Sequence, residues 1–72
     1  MSEELLSPAP GMVQKLLVKK GDHVTKDTVV VILEAMKMEN EIFASSTGTV
    51  EEIKVKEGDD VETDDLIMLI SN

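Results

Sequence analysis

The chain has no cysteine, no tryptophan and no tyrosine, and its 72 residues include one phenylalanine, one histidine and two prolines. Each shortage removes a class of answer. With no cysteine and a lone histidine, His23, neither a disulfide framework nor a Cys/His metal site can staple so small a domain. Stability must come from dense packing of Val, Ile and Leu. The missing cysteine is compatible with a reducing compartment. Positive charge is scarce too: 7 Lys+Arg stand against 15 Asp+Glu, a formal net charge of -8. Such a surface repels phosphate backbones and anionic lipid, and only Phe43 could stack on a base, which argues against nucleic-acid binding. Long apolar runs are missing. Val29 to Leu33 and Leu66 to Ile70 are far too short to span a bilayer. No cationic segment leads into an apolar stretch at the N-terminus, so no secretory signal is read and the cytoplasm is the expected address. The glycines are too scattered for a phosphate-binding loop.

What is present is one pattern written twice. At an offset of 37 positions Gly11 falls on Gly48, Val13 on Val50, Val18 on Val55, Gly21 on Gly58, Asp22 on Asp59, Val24 on Val61 and Asp27 on Asp64. Repeats of this length mark a supersecondary unit that cannot bury its apolar face alone. Two copies facing each other can. The expectation is a single domain over residues 1–72, with repeat halves at about 1–35 and 38–72 and a pseudo-two-fold axis between them.

Turn signals divide each copy into short strands. Glu3 to Ser7 is a weak first strand. Ser7-Pro8-Ala9-Pro10-Gly11 is a turn, where the prolines remove ladder donors and Gly11 tolerates positive φ. Met12 to Lys19 is a strand, Gly21-Asp22 a turn, and Val24 sits in a short extended piece before the polar turn Thr25-Lys26-Asp27. Val29 to Glu34 is β-branched and of strand length. The second copy follows with Glu41 to Ala44, a turn at Ser45 to Gly48, Thr49 to Lys56, a turn at Gly58-Asp59, and Leu66 to Ser71. Alternation slips between Val50 and Ile53, and between Val13 and Leu16, so a bulge is expected in each copy. Leu66 to Ile70 could be drawn as a helix, but its repeat partner, Val29 to Leu33, is a poor helix former. The predicted fold is all-β: two four-stranded antiparallel sheets stacked as a sandwich or flattened barrel. Two-fold logic sends the termini to the end opposite Lys37.

The joint between the copies reads Glu34-Ala35-Met36-Lys37-Met38-Glu39. Only a tight hairpin fits there, and its tip carries a lysine. Asn-Gly or Asp-Gly is the usual chemistry of such a tip; two methionines and a lysine break the local rule without an evident folding gain. Set against that, a turn lysine is ordinarily just solvated, and the methionines could cap the end of the core. Elsewhere, Asp59, Asp60, Glu62, Asp64 and Asp65 form an acidic stretch whose spacing does not follow a calcium-loop order. His23 reads as a surface residue.

Glu34-Ala35-Met36-Lys37-Met38-Glu39-Asn40, Pro8-Ala9-Pro10-Gly11 and the paired Gly-Asp-x-Val turns together resemble the biotin carboxyl carrier domains, over about Leu6 to Ile70. The resemblance implies the biotinyl/lipoyl flattened barrel of the thumbless type, with biotin attached through an amide to Lys37. Glu34, Ala35, Met36 and Met38 would form the attachment motif read by the ligase. The related lipoyl domains usually place aspartate before and alanine after their lysine, so methionine on both sides favours biotin.

The same resemblance implies a non-catalytic carrier. A biotin protein ligase would load Lys37, since a protonated amine is a poor nucleophile and the domain offers no base. A biotin carboxylase subunit would charge the ureido nitrogen with a carboxyl group, and a carboxyltransferase or decarboxylase subunit would receive it. Lysine stem and biotin tail form a tether on the order of ten bonds, reaching roughly 10–15 Å. A lipoyl carrier of an oxo-acid dehydrogenase or glycine-cleavage system, and an unmodified adaptor sharing the barrel, remain as alternatives. The isolated domain is expected to be a monomer.

Overall fold

A computed structural model describes residues 2–72. Eight strands follow in order: β1 (Ser2–Leu6), β2 (Gly11–Leu16), β3 (His23–Val24), β4 (Val29–Ala35), β5 (Met38–Phe43), β6 (Gly48–Ile53), β7 (Asp60–Val61) and β8 (Leu66–Ser71). They form two four-stranded antiparallel sheets, β1-β8-β6-β3 and β5-β4-β2-β7. Adding 37 to the starts of β2, β3 and β4 gives the starts of β6, β7 and β8, and β5 begins one residue ahead of the position that β1 would set. Each sheet draws two strands from each copy, so the copies interlock rather than stand side by side. Leu66 to Ile70 is strand, as its partner Val29 to Leu33 requires.

Backbone bonds show the same exchange. Gly21 N–H donates to Val50 C=O and Val50 N–H to Asp22 C=O; in the symmetric copy Gly58 N–H donates to Val13 C=O and Val13 N–H to Asp59 C=O. The turn of one copy satisfies the bulged strand of the other. Register jumps between Val13 and Lys15, and between Val50 and Glu52, put the bulges where the alternation slips. Each bulge lets the residues on either side keep their apolar groups inward.

Several boundaries differ from the expectation. β2 stops at Leu16 and β6 at Ile53, three residues before Lys19 and Lys56. Leu17 N–H still donates to the Val30 carbonyl and Lys54 N–H to the Ile67 carbonyl, and the chain then turns to bond the other copy from Gly21 and Gly58. β5 begins at Met38 rather than Glu41, because its ladder runs to the tip of the hairpin. Gly11 does not use positive φ. It opens β2, and a side chain there would strike the Glu34 carbonyl oxygen. Gly48 meets Ser71 in the same way, so close backbone approach is the reason for both.

The interior is Val13, Val24, Val30, Val31, Leu33, Val50, Val61, Ile67, Met68 and Ile70, with Leu5, Ile42 and Ala44 closing the layer. Burying a Val, Leu or Ile side chain is worth about 1.5–3 kcal/mol, which makes this the main stabilising term. The acidic stretch has a local job: Asp59 accepts the Lys56 N–H at 3.0 Å and Asp65 the Glu62 N–H at 2.8 Å. In the first copy Asp22 and Thr28 do the same for Lys19 and Thr25. These are side-chain-capped turns. His23 is exposed and pairs with Thr49 at a sheet edge.

The molecule measures 32 × 18 × 16 Å. Ser2 pairs with Ser71, and Ser71 with Thr49. β5 runs away from the Lys37 hairpin, and the chain beyond it reaches Gly48 beside Ser71. The terminal pair therefore lies at the far end from Lys37. Among the described residues no helix is long and apolar enough to cross a membrane.

Candidate functional site

β4 and β5 pair to the last possible rung, Ala35 with Met38, leaving Met36 and Lys37 as a two-residue loop. Their φ angles are 55° and 64°. Positive φ at both central residues is the requirement of a type I′ turn, whose twist matches the flanking strands. Such a conformation costs a residue with a Cβ roughly 1–2 kcal/mol. The interlocked barrel holds it in place.

The turn projects its side chains outward. Lys37 is exposed, and among the described residues its amine has neither a hydrogen bond nor an ion pair. Met36 is 92 % exposed and Met38 63 %. The methionines therefore do not cap the core, which ends at Leu33 and Ile42. Ala35 is half-buried against the start of β2, near the point where Gly11 has no room for a side chain. Glu34 and Glu39 are exposed and directly opposite one another. Like charges on one rung destabilise a ladder. Glu41 follows on the same strand, opposite Ile32, and among the described residues none of the three carboxylates pairs with Lys37.

Three features of this end were not read from the sequence. Asn40 braces the hairpin: its Nδ2 donates to the Met38 carbonyl at 3.2 Å and reaches the Leu33 carbonyl at 3.4 Å. An asparagine in a strand is unfavourable by propensity, and that was the one available signal. The Pro8-Ala9 turn comes up beside the hairpin, fixed by buried Ser7, whose Oγ donates to the Ala9 carbonyl at 2.7 Å. Between turn and hairpin lies an open, mainly apolar groove of about 370 Å³, reaching Met36 and Met38 at its rim and Leu33 and Ile42 at its base.

The result is an unpaired amine on a braced, strained two-residue turn. It has no neighbouring base or oxyanion donor, so the arrangement suits modification of Lys37 by another protein better than catalysis. The family described as "Biotin-requiring enzyme" matches residues 3–70. This chain belongs to that family. The biotin-requiring family member is 57% identical over 35 residues to the 2-oxoglutarate carboxylase large subunit of Hydrogenobacter thermophilus, covering 49% of this chain and 5% of that one. It is 54% identical over 35 residues to the biotin carboxyl carrier protein of Streptococcus mutans, covering 49% and 27%. The crystal structure of the Kluyveromyces lactis urea carboxylase superimposes with a TM-score of 0.92 at 39% identity, over 99% of this chain and 6% of that one. The chain thus spans a small part of each relative's length. It has the all-β fold of that family, its relatives include a biotin carboxyl carrier protein, and none of the relatives named is a lipoyl protein.

Proposed function

We propose that Lys37 is the residue to which biotin is attached, and that the chain serves a carboxylase, transcarboxylase or decarboxylase as its mobile carrier. One observation carries this: the exposed, unpartnered Lys37 amine at the symmetry-unique turn. The fit is chemical as well as positional. An exposed amine with no ion pair among the described residues is free to enter an amide bond. When bound, biotin supplies a ureido nitrogen that carries a carboxyl group from one active site to another.

The chain's own residues do the rest. The type I′ turn fixes the direction in which Lys37 leaves the barrel. The Asn40 brace keeps the two strands from splaying under load. Met36 and Met38 offer apolar contacts to whichever enzyme docks on the tip, and exposed apolar clusters are a usual mark of such contacts. Glu34 and Ala35 set the rung below. The partners are then a biotin protein ligase, a biotin carboxylase, and a carboxyltransferase or decarboxylase, each acting on one tethered group. Tethering raises the local concentration of that group at every site within reach. Residues 1–72 act as one carrier unit, working in the cytoplasm.

Trypsin provides the test. Labelling with a biotin ligase, biotin and ATP is expected to block cleavage after Lys37 and to fuse the peptides Asp27 to Lys37 and Met38 to Lys54. Lys37→Arg is expected to abolish avidin binding while leaving the melting curve unchanged. Retained avidin binding in that variant would falsify the assignment.

A further inference from the structure

The chain has five methionines. Among the described ones, Met68 is fully buried at 0% exposure and Met12 is half-buried, whereas Met36 and Met38 are 92% and 63% exposed. Of the described thioethers, the two most open to solvent flank the one lysine at the turn. Both stand on the rim of the apolar groove between the Pro8-Ala9 turn and the hairpin. Neither belongs to the core.

We propose that Met36 and Met38 are a reversible oxidation site, and that sulfoxide formation there slows loading of Lys37. This rests on the reading of Lys37 as the attachment residue. The oxidant is a peroxide. A sulfur lone pair attacks one peroxide oxygen, the O–O bond breaks as the S–O bond forms, and the departing oxygen leaves as water after proton transfer. Sulfur gives up two electrons and the peroxide gains them. A thiol-dependent methionine sulfoxide reductase returns the thioether, with one enzyme class for each sulfoxide epimer.

Exposure sets the order of reaction, because the peroxide must reach sulfur. Met36 and Met38 react first and Met68 last. Since the hairpin pair contributes nothing to the core, the barrel survives their oxidation. The change is confined to the tip, where an adaptable apolar side chain becomes a polar, chiral one. An enzyme that docks on two thioethers must then bury two sulfoxide oxygens without designed partners, which is unfavourable.

The test uses the full chain and hydrogen peroxide. Tryptic cleavage separates the sites: Asp27 to Lys37 carries Met36, Met38 to Lys54 carries Met38, and Glu57 to Asn72 carries Met68. At the lowest dose that oxidises any described methionine, the first two peptides are expected to gain oxygen while the third does not. Ligase-catalysed biotinylation of that material, followed by intact mass, is expected to slow by about fivefold or more, the effect of losing one significant interface contact. Treatment with both reductase classes is expected to restore the rate. The treated-to-untreated ratio of Met36→Leu/Met38→Leu is expected to stay at one, whatever its own starting rate. Met68 or Met12 oxidising ahead of the hairpin pair, or an oxidised chain labelled at the untreated rate, overturns the proposal. So does a peroxide effect that persists in the double variant or that the reductases do not reverse. If the untreated chain takes no biotin at Lys37, the proposed function falls and the switch with it. If the untreated chain is labelled there and its oxidised form equally fast, the switch alone falls.

Discussion

At the scale of single residues, the turn at Met36 and Lys37 trades stability for presentation. Both residues sit in the left-handed region that glycine or asparagine would occupy at less cost. Met36→Gly is therefore expected to stabilise the fold by about 1 kcal/mol, a rise in melting temperature of about 4–8 °C for a domain this size, measured by thermal denaturation. Labelling by the ligase is expected to slow in the same variant, because one apolar contact at the tip is gone. An unchanged or lowered melting temperature would mean that the turn carries no strain. Lys37 and its neighbours were legible because they break a local rule at the repeat joint. Asn40 was not, since its value lies in carbonyls that fold back to meet it.

Among the elements, the bulged strands and their partner turns decide the architecture. Gly48 opens β6 with no room before the Ser71 carbonyl, a contact between two backbones that cannot swing aside. Gly48→Ala is expected to cost about 1–3 kcal/mol, readable as a lowered denaturant midpoint with an unchanged slope. A neutral result would show that β6 and β8 can shift apart. The bulges were legible as slips in alternation, because a skipped residue leaves a phase error in the pattern. The ends of β2 and β6 were not. Their apolar residues continue past Leu16 and Ile53 to Val18 and Val55, which pack on the core from outside any ladder. Hydrophobic period reports which way a side chain faces, not whether the backbone still pairs.

For the whole molecule the decisive property is interlocking. β1 and β3 complete a sheet with β6 and β8, and β5 and β7 complete the other with β2 and β4. Neither half holds a full sheet. Fragments 1–35 and 38–72 are each expected to be unfolded alone, giving collapsed amide spectra, and to recover dispersed spectra when mixed. A folded single fragment would refute mutual completion. Net charge acts at this scale too. With a formal charge of -8 the folded chain repels itself, so added salt is expected to raise its melting temperature modestly, as screening predicts. A fall with salt would point instead to attractive pairs, yet among the described residues only Lys19–Asp22 and Lys54–Glu52 form one.

The sequence by itself determined the repeat, the all-β class, the strand spacing and the lysine at the joint, because duplication and side-chain alternation are written residue by residue. Tertiary structure alone decided that the copies exchange strands and that Gly11 answers to a neighbouring carbonyl rather than to its own φ. It also decided that a groove opens beside Met36 and Met38. Those facts depend on which backbone lies against which, and residues far apart in the chain acquire that relation only when both sheets close.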